Sequence, residues 1–407
     1  MGKVCITGTL NTIIDINNNQ IIINSIYIKE GEKITIDGTN GEIFLGVITT
    51  IQSKISLSLK KILNISKELS SIKIYVNAER IKEFDIAFNF GAQGIGLCRT
   101  EHMFFTSKRI NFFRKMIFSN NKKEKKTLLN KIELFQTNDF YHMFKKTNSK
   151  ILAIRLLDLP LHEFLPEISN KKISLISSVI SVSIKNMLSK IKNLHEFNPM
   201  LGHRGCRLAI TNPEIYKMQI SAIFKAILQI KNIPINPEII IPLIINKSEL
   251  FFIKKLILDL NHKLSNIFNI PTINFKIGSM IEVPSAIINI SDIVSEVDFI
   301  NFGTNDLTQL TLGMSRDDSI KFLKSYYEKK IILENPFETI DKNVLFFIKK
   351  AIQKAKEKNP NIKIGICGEH AADPKSIKQF IQLPIDYLSC SAYKIPIAQI
   401  AIAKYNK

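Results

Sequence analysis

From Lys73 to Ser389, short and almost unbroken apolar runs alternate with amphipathic segments of helical period, and this pattern constrains the fold more than any other feature of the chain. A strand that is apolar on both sides must be covered on both faces, which calls for parallel strands with helices packed outside them. The runs cover residues 73–77, 94–99, 151–157, 205–210, 238–244, 275–283, 297–302, 363–367 and 385–389. Eight such strands close a barrel and nine are counted, so one is not a barrel strand. Residues 205–210 are the doubtful run, since a strand there would put Arg204 at the face opposite the other polar residues. The expected fold is therefore α/β, a (β/α)8 barrel over residues 73–407, enlarged by helical insertions at about 107–146 and 161–194.

Residues 1–50 read differently, as short β segments at 4–8, 21–28, 34–37 and 43–48 with a turn at Gly38-Thr-Asn-Gly41. Residues 51–72, rich in Ser, Lys and Leu, read as a helical linker. No internal repeat is apparent.

Composition excludes several classes. With 407 residues, 45% hydrophobic and 23% charged, the chain can bury a large core, so disordered and fibrous readings drop out. No apolar run approaches the roughly 18–20 residues of a membrane span, and Met1-Gly-Lys-Val-Cys5 does not start a signal peptide. Five widely spaced cysteines without a Cys-x-x-Cys pair fit a reducing compartment, the cytoplasm, rather than a disulfide framework or a zinc site. The formal charge of +20 would suit nucleic acid, but the lysines are scattered and lack interleaved aromatics, while Ile, Lys and Asn abound and Trp is absent. Codon drift explains such a composition, and no nucleic-acid partner is expected. The densest cluster, at 122–126, reads as the solvated start of a helix.

Polar groups gather where the runs end: Arg99-Thr-Glu101, Glu282, Gly303-Thr-Asn-Asp306 and Cys367-Gly-Glu-His370. In a barrel these ring one mouth, where active sites lie. Glu282 and Asp306, carried by adjacent strands, can hold Mg2+ with open positions for substrate; alternatively each is an ion-paired helix cap, Asp306 at the helix through Leu307, Leu310 and Leu312. Arg99, Arg155, Arg204 and Arg316 lie in apolar surroundings, where a guanidinium needs a carboxylate, such as Asp158 or Glu163 for Arg155, or an anionic ligand. Cys367, at a strand end beside the two carboxylates, can move a proton; the other cysteines read as packing. The seven histidines lack metal-ligand spacing, and His203 and His370 read as structural.

These strings, together with Lys29-Glu-Gly31, Arg155-Leu-Leu-Asp158, Leu161-His-Glu-Phe-Leu-Pro166, Asn198-Pro-Met-Leu-Gly-His-Arg-Gly-Cys-Arg-Leu208, Met280-Ile-Glu-Val-Pro284 and Ser315-Arg-Asp-Asp318, resemble the phosphoenolpyruvate-utilising enzymes, and within them the C-terminal half of the pyruvate, phosphate dikinases. The resemblance implies interconversion of pyruvate and phosphoenolpyruvate. Arg155 and Arg204 would hold the phosphoryl and carboxylate groups with help from Arg99 and Arg316. Glu282 and Asp306 would bind Mg2+, Gly303, Thr304 and Asn305 would line the substrate, and Cys367 would carry the proton at the methyl carbon. It also implies a homodimer. No histidine here follows a Thr-x-His-type string, so residues 1–50 would be the tail of a swivelling phosphohistidine domain lacking its histidine. A separate ATP-binding, histidine-bearing chain would then supply the phosphoryl group. Phosphoenolpyruvate synthase, enzyme I of the sugar phosphotransferase system and a non-catalytic phosphoenolpyruvate-binding module remain alternatives.

Overall fold

The computed structural model describes residues 4–6, 9, 11–50, 56–166, 170–231 and 233–406. It divides into two compact units, Met1–Lys61 and Ile62–Lys407.

The first unit has an antiparallel sheet of β1 (Thr12–Asp15), β2 (Gln20–Ile23) and β3 (Ile26–Lys29), and a hairpin of β4 (Ile34–Asp37) and β5 (Glu42–Leu45). The run at 21–28 is not one strand. Asn24 and Ser25 take left-handed φ values of 47° and 68° and turn the chain between β2 and β3. The sequence reading missed β1. Of the strand expected at 4–8, Val4–Ile6 are not extended into a sheet, and Thr7 and Gly8 lie outside the described residues. The expected helix appears as Leu57–Glu68, residues 51–55 lying outside the described residues.

In the second unit, β6 (Lys73–Asn77), β7 (Ile95–Arg99), β8 (Leu152–Arg155), β9 (Pro237–Ile241), β10 (Lys276–Ile281), β11 (Phe299–Gly303), β12 (Lys363–Cys367) and β13 (Tyr387–Ser391) pair in parallel, and β13 returns to β6 to close the barrel. The (β/α)8 expectation holds, and the ninth run is a helix, Gly205–Thr211. Its buried residues Cys206, Leu208 and Ala209 follow the helical period, and Asn212-Pro213 ends it because proline fits the first turn of the next helix, Pro213–Leu228.

Alternate strand residues point inward. Leu97, Ala153, Ile240, Met280, Phe299 and Cys367 make a buried cluster of their own inside the barrel, apart from the larger core between strands and helices. Glycine makes room for bulk there: a Cβ on Gly365 would lie 2.0 Å from Cζ of Tyr387. Where the strands begin, Lys363 Nζ bonds Glu238 at 2.7 Å and lies over the rings of Tyr387 and Tyr75, 4.9 and 5.4 Å from their centroids, filling that end. Polar chemistry is left to the opposite end.

The insertions are helical as expected, with Ser107–Phe118, Lys122–Thr147, Asn170–Ile180 and Ile184–Leu194. The lysine cluster does begin a helix, capped by the Asn121 side chain, which accepts from the Lys123 and Glu124 amides. No helix among the described residues is long and apolar enough to cross a membrane.

Candidate active site

The barrel delivers the expected polar residues to one mouth because they sit at strand ends. Register pairs Arg99 with Arg155 and Gly303 with Cys367, while Glu282 directly follows β10. Thr304, Asn305 and Asp306 form the first turn of the helix Thr304–Leu312, whose cap is Gly303, so Asp306 is not itself the cap. Arg204 comes from the turn that starts the helix Gly205–Thr211, not from a strand.

A buried ion cluster forms the floor of the mouth. Arg155 bonds Glu101 and lies 2.8 Å from Asp158. Glu163 is not its partner; that carboxylate lies 3.7 Å from His162. Asp158, fully buried, also accepts from Arg204 Nε and NH2 at 3.1 and 2.6 Å, and Arg204 NH1 reaches Asp306 Oδ1 at 3.1 Å. Burial works against both guanidinium charges, but Asp158 with Glu101 for Arg155, and Asp158 with Asp306 for Arg204, outweigh it and keep them charged. Burial also opposes the charge on Asp158, and the two arginines overcome it and hold its pKa below the ordinary value.

Glu282 is the exception. It is 1% exposed and has no ion pair among the described residues; its Oε1 accepts the Leu243 amide at 2.9 Å. Burial, then the nearby charges of Asp306 and Asp158, push its pKa up to about 8. Leu243 itself has φ of 59°, a conformation that costs a leucine about 1–2 kcal/mol, so this carboxylate is held by a strained loop. A Cβ on Gly303 would fall 2.6 Å from Glu282 Oε2, so only glycine leaves space beside that oxygen.

Cys367 is 2% exposed, its thiol donating toward the Phe302 carbonyl at 3.4 Å and lying 3.8 Å from Met280 Sδ. Burial pushes its pKa up to about 12, opposed by the charges of Arg99 and Arg155, so the thiol carries its proton at neutral pH. Thr304 is fully buried, its hydroxyl 2.9 Å from the Cys367 carbonyl and 2.8 Å from His370 Nδ1. His370 Nε2 can only donate to the Pro336 carbonyl, at 2.9 Å, and burial favours the neutral ring, so Nδ1 accepts and the Thr304 proton is shared between two acceptors. Thr304 and His370 thus brace the Cys367 turn, as the structural reading of His370 requires. Asn305 Oδ1 accepts the Glu369 amide at 3.1 Å. Arg316 opens the helix Arg316–Glu328, with its amide held by Gln309 at 2.8 Å, and its side chain is half-buried without an ion pair among the described residues.

The carboxylates Glu79, Glu101, Asp158, Glu282 and Asp306 outnumber the guanidiniums of Arg99, Arg155, Arg204 and Arg316 here, and Glu282 bears the deficit. An oxygen-ligated dication beside Glu282 and Asp306 fits that donor set. The described residues offer no cluster of three or more protein ligands, so such an ion would take its other ligands from water and substrate.

Sequence reasoning missed Glu79. It sits two residues beyond β6, 14% exposed, with Oε1 3.5 Å from Arg99 NH1 and Oε2 3.7 Å from His102 Nδ1. The strand-end position that marked the other residues also marked this one.

Residues 54–407 match the family described as PEP-utilising enzyme, PEP-binding domain. Among curated proteins, the chain is 44% identical over 408 residues to pyruvate, phosphate dikinase of Rickettsia bellii, covering 99% of this chain and 46% of that protein. It is 39% identical to that of Clostridium symbiosum, with the same coverage. The chloroplastic form from Flaveria bidentis is 40% identical over 410 residues, 99% of this chain and 43% of that protein. The chain spans about half the length of the curated relatives it matches.

Proposed function

Since the chain belongs to the PEP-utilising enzymes through their PEP-binding domain, we propose that its barrel mouth carries out the carbon half of a pyruvate, phosphate dikinase reaction. The complete reaction converts ATP, pyruvate and phosphate into AMP, phosphoenolpyruvate and diphosphate. The observation that carries this reading is Cys367: a proton-bearing thiol at a strand end, level with Gly303 and beside guanidiniums and two carboxylates.

Arg155 and Arg204 bind the carboxylate and phosphoryl oxygens of phosphoenolpyruvate, with Arg99 and Arg316 at the rim. Asp158 fixes the first two forks, so little freedom is lost when the anion arrives. Glu282 and Asp306 hold Mg2+, which when bound supplies a Lewis acid for the enolate oxygen. Gly303 and Asn305 line the substrate, Thr304 through its backbone because its hydroxyl is committed. After the phosphoryl group leaves for its acceptor, the Cys367 thiol gives its proton to the methylene carbon; the C–H bond forms, the S–H bond breaks, and pyruvate is left with a thiolate that solvent reprotonates. In reverse the thiolate takes a methyl proton, helped by the charges of Arg99 and Arg155.

The phosphoryl carrier in this reading is a histidine-bearing, ATP-binding partner outside these 407 residues, with residues 1–50 as part of a swivelling domain, 51–72 as its linker, the cytoplasm as the compartment and a homodimer as the assembly. The test is deuterium exchange into the methyl group of pyruvate with Mg2+ in D2O, followed by NMR. Exchange is expected in the wild type and a fall of at least about 100-fold in Cys367→Ala and Glu282→Ala, the scale of a lost general acid. Undiminished exchange in Cys367→Ala refutes the role of the thiol.

A further inference from the structure

Glu79 and His102 have no part in the chemistry just described, yet they stand against one of its arginines. Glu79 leaves the barrel just beyond β6, and His102 lies in the 3-10 turn Thr100–Phe104 just beyond β7. The carboxylate is divided between them: Oε1 is 3.5 Å from Arg99 NH1 and Oε2 is 3.7 Å from His102 Nδ1. Oε1 is buried and makes no hydrogen bond, so the Arg99 contact is an ion pair without a fixed geometry. The Arg99 side chain is 28% exposed and free to meet a ligand. His102 is 44% exposed and open to bulk protons.

We infer that Glu79 is a positioning residue shared between Arg99 and His102, so that protonation of His102 draws the carboxylate off Arg99 and strengthens anion binding at the mouth. The inference rests on the reading of the mouth as an anion site. The charged groups facing His102 are Glu79 and Glu101, which favour its protonated form, and Arg99, which opposes it. Those facing Glu79 are His102, Arg99 and Arg155, and together they keep it ionised despite burial. The Glu79 carboxylate, 3.7 Å from Nδ1, raises the His102 pKa above its ordinary value, so the ring gains its proton as pH falls through that raised value. Above that pH, Glu79 neutralises Arg99; below it, the guanidinium has one less competitor for an incoming anion.

Oxalate tests this, being a planar dianion shaped like the enolate of pyruvate and fully ionised over the range of interest. Its affinity is measured by calorimetry with saturating Mg2+ from pH 6 to 9 in wild type, His102→Gln and Glu79→Gln. Glu282 titrates alike in wild type and His102→Gln, so their ratio at each pH isolates the histidine. The ratio is expected to fall about fivefold from the acid to the alkaline end, the size of one unit charge acting through partly wet protein. In Glu79→Gln the alkaline affinity is expected to rise above wild type because Arg99 is no longer neutralised. A wild type that binds oxalate with a ratio independent of pH overturns this inference alone. A wild type that does not bind oxalate at all overturns the anion-site reading and this inference with it. His102 is exposed enough for its substitution to leave the fold intact, so the ratio does not depend on the behaviour of Glu79→Gln.

Discussion

Replacing Asp158 with Asn keeps the outline of the side chain but removes the charge that Arg155 and Arg204 share. Three contacts are affected: Arg155 NH1 at 2.8 Å and Arg204 Nε and NH2 at 3.1 and 2.6 Å. A hydrogen bond to a charged acceptor is worth roughly 1 kcal/mol more than one to a neutral acceptor, so the three together lose about 3 kcal/mol. An amide has one acceptor oxygen, so a guanidinium N–H also faces an NH2 group and is left unpaired, adding up to about 2 kcal/mol. The sum, roughly 3–5 kcal/mol, agrees with the cost of removing one partner from a buried ion pair. For a unit of this size that is a fall of roughly 4–7 °C in melting temperature. Thermal unfolding followed by circular dichroism at a single scan rate measures it. The sign with pH follows from the depressed Asp158 pKa: the gap is full above the ordinary value of 3.8 and narrows as pH falls below it towards the folded-state value. A melting temperature within about 1 °C of wild type between pH 5 and 8 would refute the argument that Asp158 holds the two arginines.

Two further expectations concern the metal. Gly303→Ala places a methyl group 2.6 Å from Glu282 Oε2; Mg2+ affinity by calorimetry should fall at least about tenfold, and an unchanged affinity would remove Glu282 from the ligand set. In the wild type, Mg2+ must displace the proton that Glu282 holds up to about pH 8. Affinity should therefore weaken as pH falls, roughly 100-fold between pH 9 and 6, a slope that Glu282→Gln abolishes.

Much of the barrel was legible in the chain because burial on both faces leaves a mark that survives without neighbours. The run Lys363–Cys367 reads as a strand from its apolar residues, and its last residue falls at the mouth simply because parallel strands share a direction. By the same rule Arg99, Glu282 and Gly303 could be assigned to one face before any contact was known, whereas Arg155, inside the run read as 151–157, reaches the mouth because the strand stops there.

Where the reading stayed in doubt, as at residues 205–210, or went astray, as at 21–28, the local signal was compatible with two structures. Gly205-Cys-Arg-Leu-Ala-Ile210 is too short for its apolar pattern to separate strand from helix, and packing with Pro213 behind it decided for the helix. The break at Asn24-Ser25 depended on left-handed backbone that nothing in an Ile-rich run announces. The sequence offered Asp158 as a partner for Arg155, and that pair forms, but it could not show that Arg155 also takes Glu101 in place of Glu163 or that Arg204 reaches the same Asp158 across 46 positions. Residue type and strand period, which are properties of the chain, determined the barrel and the face that would carry chemistry. Pairing energies fall off within a few ångströms, so only the closed barrel decided that Asp158 is shared, that Glu282 has no cationic partner among the described residues, and that Glu79 stands between Arg99 and His102.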